Sequence, residues 1–109
     1  MNLRTHTTID DGVAHVVLTG EADSDAAPAL TRALDPITRA QPRRLVLDLT
    51  GLTYLSSAGL RCLVNAHQAL GRGVDMVLSG VNEDVADTIR LTGFDLSVTL
   101  VAAGDGDGR

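Results

Sequence analysis

Apolar positions along this chain change period several times, and the changes divide it into short segments of strand and helix character. Leu3 to Ile9 alternates loosely, Asp10-Asp11-Gly12 supplies a turn, and Val13 to Thr19 is rich in β-branched residues. This opening predicts an antiparallel hairpin that Gly20 ends. From Ser24 the spacing becomes helical: Ala26, Leu30, Ala33, Leu34 and Ile37 share one face, which predicts a helix to about Arg39 with Ser24 as its cap and Pro28 in its first turn. Leu45 to Leu49 is an almost unbroken apolar run after Pro42 and reads as a central strand covered on both faces. Leu60, Leu63, Val64, His67 and Leu70 mark one face of a second helix, stopped by Gly71 and Gly73. Val74 to Leu78 predicts the next strand. Asn82 then caps a third helix, with Glu83 and Asp84 at the favourable end of its dipole, Val85, Ile89 and Thr92 inward and Gly93 as the stop. Leu96 to Val101 closes the pattern as a last strand.

The order β-β-α-β-α-β-α-β predicts a single α/β domain: a mixed, mainly parallel sheet with an N-terminal β-hairpin and crossover helices. A chain of 109 residues supports one core. The domain is expected over residues 1–102, and the small, polar, Gly-rich segment 103–109 is expected to be a flexible tail.

Composition narrows function more than fold. Tyr54 and Phe94 are the only aromatic residues, so the core is aliphatic. The net charge is -5 and nine arginines are scattered with no lysine, which leaves no basic stripe to neutralise phosphates and argues against direct nucleic-acid binding. Arg39, Arg43 and Arg44 come nearest to a patch and read as a solvated rim. Cys62, the single cysteine, cannot form an internal disulfide, and the chain shows neither a secretory leader nor an apolar run of membrane-spanning length. A cytoplasmic protein without direct membrane contact is the expectation.

The stretch "LTYLSSAGLRCLV", residues 52–64, places two serines where an apolar strand gives way to an apolar helix. Ser56 and Ser57 therefore fall in a βα loop at the carboxyl edge of the sheet, where α/β proteins commonly hold their sites. One of the pair is expected to cap the helix. A nucleophilic role lacks the G-x-S-x-G elbow, and the potential bases fit packing or rim positions: His15 alternates within a strand and His67 continues a helical stripe. His6 is a further possible base in principle. Cys62 and His67 lie on different helix faces, and Asp105 and Asp107 lack the other ligands of a calcium loop. "GRG" at 71–73 follows a helix rather than a strand, unlike a dinucleotide fingerprint. No catalytic residue, metal or cofactor is expected, and the protein reads as a non-enzyme.

"LVLDLTGLTYLSSAGLRCLV", residues 45–64, resembles the signature region of STAS domains, and most closely that of the small antagonists of anti-sigma factors. "VVLTGEADSDAAPAL", residues 16–30, is similar to the family's strand-Gly-Glu-x-Asp-helix segment, and "IRLTGFDLSV", residues 89–98, to its last helix, Gly turn and closing strand. The resemblance spans nearly the whole chain except the tail. It implies that the chain binds a kinase-type anti-sigma factor, frees a sigma factor, and lets go when a serine at the start of the second helix is phosphorylated; a serine phosphatase would reset it. Matching the family's Asp-Ser-Ser/Thr-Gly-Leu to Ser56-Ser57-Ala58-Gly59-Leu60 puts the acceptor at Ser57, with Ser56 as second choice. The chain carries Ser56 where aspartate is usual and Ala58 where Ser or Thr is usual. Asp23 matches an aspartate of the family that contacts the kinase; it is equally suited to cap the first helix. Ser24, Ser56, Ala58, Gly59, Leu60 and Arg61 complete the expected contact set. The alternative implied by the resemblance is a phosphorylation-independent STAS scaffold in another complex, such as a lipid-transport assembly.

Overall fold

The computed structural model describes residues 3–103. Strands β1 (Leu3–Asp10) and β2 (Val13–Ala22) form the hairpin, followed by α1 (Ala27–Ala40), β3 (Arg44–Leu55), α2 (Ser57–Leu70), β4 (Asp75–Val81), α3 (Glu83–Thr92) and β5 (Thr99–Ala102). Short 3-10 turns occupy Ser24–Ala26 and Phe94–Leu96. The five strands lie in chain order, β1 antiparallel to β2 and the rest parallel. This is the expected α/β class with its hairpin and crossover helices.

Each new parallel strand is added on the same side of the last, so right-handed crossovers bring all three helices onto one face of the sheet. Burial alternates accordingly. Val16 and Leu18 of β2, Leu45, Leu47 and Leu49 of β3, and Met76 and Leu78 of β4 form the core with Leu30, Leu34, Leu63 and Ile89 from the helices. His15 and Thr19 of β2 are exposed on the other face, and Val46, Asp48 and Val77 are half-buried there. The central strand is thus covered on one face, correcting the expectation of two. The uninterrupted apolar run is misleading because Val46, on the open face, lies between two core leucines.

Asp48 shows what the open face permits. Hydrogen bonds from Thr50, its hydroxyl first and its N–H at 3.0 Å, hold the carboxyl below its ordinary value, aided by the charge of nearby His15. A lowered folded-state pKa means stability that is present above the unfolded value and lost as pH falls through the folded one. Asp48→Asn is therefore expected to be less stable than the parent at neutral pH, with the gap closing in acid. Urea unfolding across that range checks this; a gap independent of pH would contradict it.

Several boundaries move. Gly20, expected to end β2, instead sits within it at φ 102, between two shifts of register against β3, and the strand runs on to Ala22. A glycine accommodates this bulge because φ is positive there. β3 extends well beyond Leu49 to Leu55, and β4 runs to Val81. The last strand begins at Thr99, not Leu96, because Phe94–Leu96 coils into a 3-10 turn that buries Phe94 and leaves Leu96 exposed. Thr92, expected inward, is exposed. Ala103 donates to Val81 O at 2.8 Å, and residues 104–109 of the expected tail lie outside the described residues. Arg39, Arg43 and Arg44, read from the sequence as a solvated rim, are exposed, and each faces a carboxylate, Asp35, Asp11 and Asp75 respectively. Among the described residues no helix is long and apolar enough to cross a membrane.

Candidate functional site

Strands β2 and β3 end side by side, Ala22 opposite Leu55, so the loop that enters α1 meets the loop that enters α2. Ser56 joins them. Its N–H and its hydroxyl both donate to Ala22 O, at 2.9 and 2.8 Å, and its Oγ accepts from the N–H of Gly59 at 3.0 Å. Ser56 is the N-cap of α2 and is 8% exposed. With its hydroxyl engaged in both directions, it is a structural clamp.

Ser57 is the first residue of α2 and is exposed. Its N–H and that of Ala58 precede the first intrahelical hydrogen bond, which runs from Leu60 N to Ser56 O. The Ser57 hydroxyl thus sits at the positive end of a 14-residue helix. Ala58 beside it is half-buried.

Gly59 and Leu60, expected at the contact surface, are buried. A Cβ at Gly59 would lie 2.8 Å from Ala22 O, so this glycine lets the first turn of α2 press onto the end of β2. Cys62 adds a second tie, within 3.4 Å of Ala27 O and 3.2 Å of the Thr31 hydroxyl of α1. Asp23, rather than Ser24, caps the entry to α1: its Oδ1 accepts from Ala26 N at 2.9 Å. Ser24 begins the 3-10 turn and is exposed. Asp23 and Ser57 are brought to one edge of the molecule because their neighbours Ala22 and Ser56 are hydrogen-bonded.

A groove of about 390 Å³ opens between α2 and α3 beside Ser57. Leu60, Arg61 and Val64 line it from α2, Leu91 and Thr88 from α3. Leu91 is 86% exposed, and Tyr54, 52% exposed, borders the adjoining recess that shares Thr88. Neither Leu91 nor Tyr54 was among the contact residues expected from the sequence. The available signal was Leu91 standing off the Val85–Ile89 stripe of its helix, an apolar residue where a polar one belongs.

The STAS domain model matches residues 4–103. The chain belongs to the STAS domain family. A similar protein is the anti-sigma-F factor antagonist RsfB of Mycobacterium tuberculosis, 30% identical over 90 residues, which cover 83% of this chain and 74% of that one. The anti-sigma-B factor antagonist of Staphylococcus aureus is 29% identical over 95 residues, covering 86% of this chain and 88% of the relative. The crystal structure of an anti-sigma factor antagonist from Mycobacterium paratuberculosis superposes with a TM-score of 0.85 at 31% identity, over 94% of this chain and 88% of that one. The STAS fold described above is therefore shared with proteins named for one regulatory role.

Proposed function

We propose that this STAS domain is an anti-sigma factor antagonist: unmodified, it binds a kinase-type anti-sigma factor and so frees a sigma factor, and phosphorylation of Ser57 ends the binding. The names of the similar proteins support antagonism of an anti-sigma factor. The observation that carries the switch at Ser57 is the contrast between two adjacent serines, Ser56 buried and engaged as a cap, Ser57 exposed at the first position of α2.

A phosphate on Ser57 would meet open N–H groups and a favourable dipole, so the domain itself accommodates it. The penalty falls on the complex, where close to two negative charges must be desolvated. Mispaired buried charges cost about 2–5 kcal/mol, which at about 1.4 kcal/mol per tenfold weakens binding by tens to thousands of times. Asp23 and Arg61 flank the acceptor as contacts for the kinase. The module itself performs no chemistry; the phosphoryl group comes from the partner's ATP.

Incubation with ATP and each kinase-type anti-sigma factor of the same organism, followed by intact mass and peptide mapping, tests this. One phosphate is expected on Ser57. Ser57→Ala should abolish it, whereas Ser56→Ala should remain a substrate while losing about 1 kcal/mol of stability with its cap. Tight binding without modification would instead make the chain a phosphorylation-independent scaffold.

A further inference from the structure

Arg61 follows Ser57 by four residues on α2, and both line the groove between α2 and α3. Side chains four apart on a helix are neighbours, with Cβ atoms about 5–6 Å from each other. Arg61 is exposed and, among the described residues, forms no ion pair, whereas Arg90 on the facing helix is held by Glu83 and Asp87. Arg61 is also the one charged residue lining the groove. The other walls are aliphatic or threonine: Leu60, Val64, Leu91, Thr88 and Thr92.

We infer that this groove receives a bulky apolar side chain flanked by a carboxylate from the anti-sigma factor, and that Arg61 pairs with that carboxylate until phosphorylation of Ser57 draws it away. The inference rests on the function proposed above and adds its switching element. The apolar walls and exposed Leu91 call for an aliphatic or aromatic side chain, and the single unpaired cation calls for Asp or Glu beside it. A guanidinium serves either anion, but a phosphoserine in the same helix turn competes with the advantage of being intramolecular and nearly doubly charged. Phosphorylation then does more than repel: it consumes the cation that the partner needs.

Two measurements test this. Phosphoserine installed at position 57 is titrated by phosphorus NMR, without any partner. Arg61→Ala should raise the second phosphate pKa by about 0.3–0.5, and Arg61→Lys should restore part of the difference. In binding assays with the anti-sigma factor, Arg61→Ala should weaken the unmodified protein about tenfold and shrink the ratio between unmodified and phosphorylated affinities by about as much. Leu91→Ser, a change at the surface, should also weaken binding about tenfold. A phosphate that titrates identically without Arg61, or an unmodified affinity indifferent to Arg61→Ala or to Leu91→Ser, overturns the inference. Failure to bind any anti-sigma factor would overturn the proposed function as well, and is distinguishable because the phosphate titration does not depend on a partner.

Discussion

A Ser57→Asp protein is expected to fold as well as the parent and to bind its anti-sigma factor at least tenfold more weakly. Folding survives because Ser57 is exposed at the first position of α2, where a carboxylate is favoured by roughly 0.3–1 kcal/mol through the helix dipole. The cap is untouched, since that work belongs to Ser56, whose hydroxyl spans Ala22 O and Gly59 N. Binding suffers because a carboxylate in a docked surface must shed its water, at about 2 kcal/mol or more when it lacks a partner, and one decade of affinity is about 1.4 kcal/mol. Aspartate carries one charge where phosphoserine carries nearly two, so it should fall at the mild end of the phosphate's effect. Calorimetric titration against the anti-sigma factor, paired with a thermal melt, reads both quantities. Parental affinity in a folded Ser57→Asp protein would remove Ser57 from the interface and with it the phosphorylation switch.

Gly59→Val should be the most damaging single change near the site, costing about 3 kcal/mol. In an exposed helix interior, replacing glycine by alanine gains up to about 1 kcal/mol of helix propensity. Here the first added carbon already lies 2.8 Å from a backbone oxygen, Ala22 O, and 3.1 Å from Leu55 Cδ1. A carbonyl in a paired strand cannot rotate away, so α2 must lift, stretching the two hydrogen bonds from Ser56 to that same oxygen. Valine adds two methyl groups and a stiff χ1 to the conflict. For a domain of this size the loss corresponds to a melting temperature lower by roughly 12–24 °C. Gly73→Ala is the control: nothing lies within 4 Å of its added carbon, and its stability should stay within about 0.5 kcal/mol of the parent. Equal denaturation midpoints for Gly59→Val and the parent would show that α2 does not need this contact.

Both results turn on a division of labour between adjacent residues. "SSAGL" presents two serines and a glycine that sequence alone can exchange among the roles of cap, acceptor and contact. The structure separates them: Ser56 caps, Gly59 packs, and Ser57 alone of the two serines offers an exposed hydroxyl. Asp23 and Ser24 divide in the same way, with Asp23 as the cap of the turn before α1.

By itself, the sequence determined the element order, the aliphatic core and the position of the serine loop at the carboxyl edge of the sheet, because these follow from local periodicity, turn residues and the handedness of crossovers. The start of α3 at Glu83 after its Asn82 cap and the stops at Gly71 and Gly93 were legible for the same reason, each resting on hydrogen bonds within a few residues. Tertiary structure alone decided what depends on distant partners. Val46 is half-buried and not enclosed because every helix lies on the other face of the sheet; Gly20 continues its strand because β3 offers pairing as far as Leu55. The groove beside Ser57 exists because α2 and α3, separated by a whole strand in the chain, bring Arg61 and Leu91 to its two sides. Which of two serines is covered was settled by Ala22, 34 residues away, whose carbonyl claims Ser56 and leaves Ser57 to the solvent.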